Sequence, residues 1–235
     1  IGDILAEGTQ RAAEHFKGAD RYAMHVKGLD IPMIDPRGRW STWTLGILTN
    51  IRGGDHLRCR NPVENLRYNE NKFAYTKERF GFKPRVMENL DMPDDLKEKI
   101  FDLESDTVDI AEMSRWAEDL INLFNSVGIC IRPPVMEGIG PVILAEAYTV
   151  HTGLETTAEE LMEGAERIWN LIKLFNLREG EDIGDIKFPR RFYEEIVGEK
   201  MLDEEKVQEV LKKYFTARGW DTATSRPTAE TLRWD

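Results

Sequence analysis

Two short segments carry the residue types that could do chemistry. The first runs Arg52-Gly53-Gly54-Asp55-His56-Leu57-Arg58. Two adjacent glycines let a backbone come close to a ligand. A histidine flanked by an aspartate and followed by an arginine can act as acid, base or hydrogen-bond donor near neutral pH. The alternative interpretation of this segment is a tight turn with a surface histidine.

The second segment is Asn125-Ser126-Val127-Gly128-Ile129-Cys130. It follows the strongest predicted helix, and Gly128 permits a sharp change of chain direction just before Cys130. A buried structural cysteine is one interpretation. The other is a thiolate ligand of a metal cluster whose remaining ligands lie outside this chain.

The other candidate motifs are weaker. His15 is expected on a helix surface, His25 is expected as a satisfied, packed side chain, and His151 suits the last turn of a helix. The sequence has no pair of metal ligands with zincin spacing, no phosphate-binding glycine loop and no Gly-x-Ser-x-Gly elbow.

The elements that must position these segments are mainly α-helical. Apolar spacing predicts helices over 3–16, 106–124, 140–151, 157–175 and 203–216. Thr157 and Glu160 form a capping-box pattern, and Asp203 is a plausible cap. Residues 20–34 read as extended chain with short strands, 35–65 as loop with at most short helices, 68–80 as a helix or partly ordered insertion, and 221–235 as an irregular tail.

Composition excludes several classes of protein. The chain has 235 residues and a formal net charge of −11, which argues against nucleic acid as a whole-surface partner. Its two cysteines exclude a disulfide framework and a self-contained cysteine-ligated cluster. No apolar stretch is long enough to span a membrane and no signal peptide is visible, so a cytoplasmic location is expected. A helical pattern that starts at Ile1 predicts that the chain is a fragment of a longer protein.

Charge is unevenly distributed. Residues 36–85 hold 11 Lys or Arg against 4 Asp or Glu, whereas 88–119 hold 12 acidic and 3 basic residues. The acidic block reads as a solvated face. The basic block sets arginines among glycines, prolines and tryptophans, which favours a ligand that bears phosphate or carboxylate. These arginines are Arg37, Arg39, Arg52, Arg58 and Arg60.

An ordered set of segments gives the chain a family resemblance. They are GDILAEG (2–8), RAAE (11–14), YAMHVKGL (22–29), DPRG (35–38), TNIRGGDHLR (49–58), VGIC (127–130), ERIWNL (166–171), LFNLREG (174–180), PRRF (189–192) and RGWD (218–221). The chain resembles the C-terminal part of the aldehyde ferredoxin oxidoreductase family. The resemblance covers nearly all of the sequence and implies a multi-helical C-terminal domain over 1–235, with an insertion near 65–100.

The resemblance also implies cofactors, which only the full-length protein would hold. Family members carry a tungsten (or molybdenum) bis-pyranopterin and a [4Fe–4S] cluster. Cys130 matches the fourth cluster ligand, and Asn125, Gly128 and Ile129 match the motif that contacts a pterin. His56 matches a histidine near the metal that assists proton transfer, and Arg52 and Arg58 would face the pterin phosphates or the channel. Asn125 stands where the family usually has aspartate, so it cannot supply a negative charge.

The implied activity is oxidation of aldehydes to carboxylic acids. The implied partners are the N-terminal part of the same enzyme, ferredoxin or a similar electron carrier, and a small aldehyde or acyl substrate. A homodimer stays open. Two alternatives stay open as well: the active-site subunit of a benzoyl-CoA reductase, and a non-catalytic helical module that binds a partner. The fragment by itself is expected to be inactive.

Overall fold

The fold is mainly α-helical, as the sequence predicts. The computed structural model describes residues 1–32, 34–38, 41–60, 67–69, 72–74, 90–102, 107–132 and 139–233. In chain order the helices of these ranges are α1 (Gly2–Ala6), α2 (Thr9–His15), α3 (Thr42–Thr49), α4 (Asp94–Ile100), α5 (Ile110–Ser126), α6 (Pro141–Thr152), α7 (Ala158–Arg178), α8 (Arg191–Glu194) and α9 (Glu204–Ala217). None of these helices is long and apolar enough to cross a membrane.

In the described ranges, strands occur as three separate antiparallel hairpins. They pair β1 (His25–Val26) with β2 (Leu29–Asp30), β3 (Arg67–Asn69) with β4 (Lys72–Ala74), and β5 (Phe101–Asp102) with β6 (Thr107–Val108). The β1–β2 hairpin confirms the short strands predicted within 20–34, whereas Asp20–Tyr22 form a 3-10 turn. Its register places Val26 opposite Leu29 across a two-residue turn.

Helix α5 is the centre of the core. Asp109 caps its first turn by accepting hydrogen bonds from the backbone N–H groups of Ala111 and Glu112. The helix packs against α3, α7 and α9 and against the 3-10 turn at 57–59. The largest buried side chains around it include Leu45, Met113, Leu120, Phe124, Trp169 and Tyr214. Because α5 touches all of these elements, its position sets the relative placement of the two candidate segments.

The other predicted helices of the second half are confirmed. Thr157 Oγ1 accepts from the backbone N–H of Glu160 at 3.1 Å while the Glu160 carboxylate accepts from that of Thr157 at 2.8 Å, which is the predicted capping box of α7. Asp203 caps α9, because its Oδ1 accepts hydrogen bonds from the backbone N–H groups of Glu205 and Lys206. Helix α6 begins at Pro141, and Gly153 ends it in the left-handed conformation (φ +76°).

Three predictions needed correction. The helix predicted over 3–16 is two helices, because Gly8 between them has a φ of +92° that breaks a right-handed helix. The stretch predicted as a helix or partly ordered insertion over 68–80 contains the β3–β4 hairpin, which contradicts the helix; its remaining residues lie outside the described ranges, as does part of the predicted 65–100 insertion. His25 is half-buried, but its Nδ1 is buried and has no hydrogen-bond partner among the described residues. The tail predicted as irregular over 221–235 forms turns over 221–233, next to an antiparallel β-bridge between Trp220 and Pro227.

Candidate functional site

The loop that carries His56 starts where α3 ends, and its two glycines pack against the β1–β2 hairpin. Gly53 has a φ of +115°, and a Cβ there would lie 2.7 Å from Leu29 Cβ. A Cβ on Gly54 would lie 2.6 Å from the Leu29 carbonyl oxygen, and the Gly54 N–H donates to the Val26 carbonyl at 2.9 Å. The close backbone approach predicted from the glycine pair is therefore made to the hairpin.

Side-chain donors fasten this loop at three carbonyl oxygens. Lys27 Nζ donates to the Asn50 carbonyl at 2.7 Å, and Asn176 Nδ2 of α7 donates to the Ile51 carbonyl at 2.6 Å. Asn50 Nδ2 donates across the loop to the Asp55 carbonyl at 2.8 Å. Backbone carbonyls that are satisfied in this way hold the loop in one conformation without a strand or helix.

His56 is half-buried and lies against the ring of Trp43, the second residue of α3. The two ring centroids are 4.9 Å apart and the rings are tilted by 36°. Burial, together with the positive charge of Arg60, lowers the pKa of His56. The imidazole is therefore neutral near pH 7, the form in which one ring nitrogen accepts a proton while the other donates.

Two polar atoms of this ring pair lack a partner. His56 Nδ1 and Trp43 Nε1 are both buried and make no hydrogen bond within the described ranges. Buried polar atoms are normally paired, and exceptions are frequent at functional sites. An imidazole nitrogen and an indole N–H on neighbouring rings can together serve a group that both accepts and donates, such as a hydroxyl or a water.

The arginines of the basic block have different surroundings. Arg52 forms an ion pair with Asp55, and about half of its side chain is exposed (48%). Arg58 is half-buried, and burial together with the charge of Arg52 lowers its pKa. Arg37 is instead engaged within the fold: it forms an ion pair with Asp35, donates to the Glu195 carbonyl at 2.9 Å and makes a cation–π contact with the ring of Phe192. Arg39 lies outside the described residues.

The Cys130 segment is the C-terminal end of α5. Gly128 adopts a φ of +78°, and the backbone N–H of Ile129 donates to the Phe124 carbonyl at 2.9 Å. This left-handed turn ends the helix and leaves Cys130 exposed, so the buried structural interpretation of that thiol is wrong. Asn125 Nδ2 donates to the Ile121 carbonyl at 2.7 Å. No group of three or more metal-binding side chains exists among the residues that the structure describes.

The two segments are supported by the same helix. Thr49, the last residue of α3, donates from Oγ1 to Glu118 Oε1 in the middle of α5 at 2.6 Å. The helix ends at Ser126, about 12 Å along its axis from Glu118 at the usual helical rise, and Cys130 lies four residues beyond that end. No hydrogen bond or ion pair in the described ranges joins His56 or Arg52 to residues 125–130.

One buried charge cluster was not predicted from the sequence. Arg218 donates to Asp119 Oδ1 at 2.5 Å and to Glu118 Oε2 at 2.7 Å, and Tyr214 OH donates to that same Glu118 oxygen at 2.5 Å. Burial raises the pKa of Glu118, and it raises the pKa of Asp119 to about 6, while Arg218 opposes both shifts. The partners lie about 100 residues apart in the chain, and no local spacing points to such a pair.

Comparison with known proteins places these features in context. The family model "Aldehyde ferredoxin oxidoreductase, domains 2 & 3" matches residues 1–234. The tungsten-containing aldehyde ferredoxin oxidoreductase of Pyrococcus furiosus is 32% identical over 223 residues, covering 94% of this chain and 32% of the relative. The enzyme of that name from Thermococcus kodakarensis is 31% identical over 237 residues, covering 99% and 34%. The chain thus spans about a third of the length of these relatives.

A solved structure shares the fold. A chain of the active site complex BamBC of benzoyl coenzyme A reductase, in complex with 1,5 dienoyl-CoA, matches with a TM-score of 0.70. The match covers 98% of this chain and 35% of that chain at 22% sequence identity. At this identity the likeness is one of architecture.

Proposed function

Because this chain belongs to the aldehyde ferredoxin oxidoreductase family, we propose that it is the C-terminal part of an oxidoreductase that holds a tungsten (or molybdenum) bis-pyranopterin and a [4Fe–4S] cluster. The proposed reaction is oxidation of an aldehyde to a carboxylic acid, with ferredoxin or a similar carrier as electron acceptor. The observation that carries the proposal is the exposed thiol of Cys130, presented by the left-handed turn at the end of α5.

The donor atoms at this end of α5 fit an iron–sulfur cluster that is completed from elsewhere. One accessible thiol supplies one ligand where a cluster needs about four. In this proposal the other three ligands come from the N-terminal part of the same enzyme, as the family membership implies. The 235-residue chain alone is accordingly proposed to be inactive.

The residues before Cys130 would contact a pterin. Asn125 donates its amide N–H inside its own helix, which leaves the side-chain oxygen as an acceptor for a ring N–H of the ligand. Gly128 and Ile129 are proposed to lie beside the pterin as well; their N–H groups donate to the Asn125 and Phe124 carbonyls, so a pterin would meet their carbonyl oxygens. Arg52, which pairs with Asp55 but is about half exposed, and the half-buried Arg58 are proposed to face a phosphate or carboxylate.

His56 is proposed to move the proton. Conversion of an aldehyde and a water to a carboxylic acid releases two electrons and two protons, and the bound metal centre and cluster would take up the electrons. The lowered pKa keeps His56 neutral, so one of its two ring nitrogens can accept a proton. The Trp43 ring restrains the plane of the imidazole while this happens.

Substitution of the two cysteines tests the ligand assignment. In the anaerobically purified full-length protein, Cys130→Ser should lower the iron content and alter the electron paramagnetic resonance signal of the cluster. The matched control is Cys59→Ala, which changes a buried thiol whose Sγ donates to the Thr42 carbonyl at 3.2 Å and should leave both readouts unchanged. Unchanged iron and an intact signal in Cys130→Ser would remove this residue from the ligand set.

A separate variant tests the proton role. His56→Asn should retain metal and lose turnover by about 10²–10⁴-fold, the usual contribution of a positioned acid–base group. Normal turnover with full metal content would refute the role. Reduction of benzoyl-CoA without aldehyde oxidation would favour the alternative that the chain belongs to the active-site subunit of a benzoyl-CoA reductase. A full-length protein that binds no metal would favour the non-catalytic helical module.

A further inference from the structure

Lys27 occupies a backbone position that its residue type disfavours. It is the first of the two turn residues between β1 and β2, and its φ of +50° is followed by +78° at Gly28. Two successive positive φ values suit asparagine and glycine, and a lysine there is unusual. A non-glycine residue kept in this region indicates that its side chain has a role that the surrounding structure maintains.

The side chain of Lys27 turns inward instead of reaching into solvent. It is 10% exposed, and its Nζ lies 3.9 Å from Glu181 Oε2, just beyond the end of α7. Glu181 also pairs with Lys173 of α7, so two buried ammonium groups share one carboxylate. The amine of Lys27 thereby links the hairpin to the C-terminal end of α7.

The same amine holds the residue that closes the His56 loop. Lys27 Nζ donates to the carbonyl of Asn50 at 2.7 Å, at the end of α3. The side chain of Asn50 in turn accepts from the Arg52 N–H at 2.9 Å and donates to the Asp55 carbonyl at 2.8 Å. Asp55 directly precedes His56, so two hydrogen bonds connect the amine of Lys27 with the histidine backbone.

We propose that Lys27 is a positioning residue for His56, acting through Asn50 and the 50–55 loop. This inference rests on the proposed function, because His56 is the proposed proton carrier. Removal of the amine leaves the loop without its tie to Glu181. The hydrogen bond from Asn176 to the Ile51 carbonyl remains, but the backbone from Asn50 to Asp55 is then held less firmly, and the imidazole loses its fixed place against Trp43.

The charges around Lys27 set its protonation state without removing its contact to the loop. Burial lowers the pKa of its ammonium group to about 8, against the opposing charges of Glu181, Glu118 and Asp185, while Lys173 adds to the lowering. Above that pH the amine is neutral and no longer forms an ion pair with Glu181, but it can still donate to the Asn50 carbonyl. Because the buried site favours the neutral amine, the loop is expected to stay fastened at alkaline pH.

Turnover of the full-length holoenzyme tests the proposal through Lys27→Met and Lys27→Arg, with Lys187→Met as the matched control. Lys187 lines the same cleft as Lys27 but is exposed. Lys27→Met should lower kcat by about 10-fold or more with KM within about twofold, because misplacement of a catalytic group acts on the chemical step. Lys27→Arg should keep most of the activity, since arginine supplies N–H donors and a positive charge at the same position. Lys187→Met should match the parent protein.

Hydrogen exchange of the backbone amides separates this inference from the proposed function. In the same full-length proteins, Lys27→Met should accelerate exchange in 51–57 but not in α5, whether or not the protein oxidises aldehydes. Unchanged exchange there would overturn the positioning role, as would unchanged kcat in an active Lys27→Met enzyme. If Lys27→Met does not fold, Lys27→Asn decides, because asparagine suits the positive φ of the turn but lacks the amine: unchanged exchange in 51–57 and unchanged kcat overturn the proposal.

Discussion

Replacement of Arg218 by methionine should be the most damaging single change to the core. Arg218 is 1% exposed and donates to Asp119, Glu118, the Arg115 carbonyl and Tyr214 OH. Its guanidinium carbon also lies 5.1 Å from the centroid of the Trp169 ring. Methionine replaces the stem of the side chain but none of its donors, so two buried carboxylates lose their cation.

The size of the effect follows from these contacts. Breaking a buried ion pair by removing one partner costs about 3–5 kcal/mol, because the remaining charge is left buried and uncompensated. Two charge-assisted hydrogen bonds at about 1.5–3 kcal/mol each lead to a similar range. With a urea dependence of about 2 kcal/mol per molar, the midpoint of unfolding should fall by about 2 M.

Urea unfolding followed by tryptophan fluorescence measures this shift, since Trp169 lies in the affected cluster. Arg178→Met is the control: Arg178 is 70% exposed in an ion pair with Glu179, and such surface pairs contribute about 1 kcal/mol or less. A loss below about 1 kcal/mol for Arg218→Met would refute the reasoning, because it would mean that Glu118 and Asp119 become neutral without cost when the arginine is absent.

Two further predictions follow from the site loop. Gly53→Ala should destabilise the protein by about 2 kcal/mol or more, because Gly53 has a φ of +115° and a Cβ there has no room. The control is Gly164→Ala inside α7, where nothing lies within 4 Å of an added Cβ, and it should stabilise the protein by about 0.5–1 kcal/mol. Thermal unfolding compares the two variants. Between pH 8 and 10.5 the unfolded chain keeps the Lys27 proton that the folded chain has lost, so the stability of the parent relative to Lys27→Met should rise with pH, by at most about 3 kcal/mol in unfolding titrations. A flat difference across that window would contradict the lowered pKa.

Local patterns were sufficient for the long helices. Helices α5, α7 and α9 combine an apolar stripe with a capping side chain. Each of these two signals relates residues that are at most four positions apart in the sequence. The short helix α3 has no such stripe, because all of its residues except Trp43 are buried. A segment buried on all sides shows no helical period, so the sequence predicted loop with at most short helices over 35–65, and α3 is one such short helix.

The family resemblance was also readable from the sequence, and the family-model match over 1–234 confirms it. The candidate site was only partly readable. His56, Arg52, Arg58 and the 125–130 segment were selected by residue type and motif, and their roles stay predictions. Nothing in the local sequence marked Lys27, since its function in the loop depends on partners 23 and 154 residues away.

Element type and family are therefore properties of short stretches, because periodicity, caps and glycines act over a few residues. The partners of polar side chains are not. Whether Gly53 faces a ligand or the β1–β2 hairpin, whether Cys130 is buried or exposed, and which cation neutralises Glu118 depend on how α3, α5 and α9 pack together. Burial strengthens or penalises each charge only after that packing exists, and so the chemistry of this chain is decided by tertiary structure.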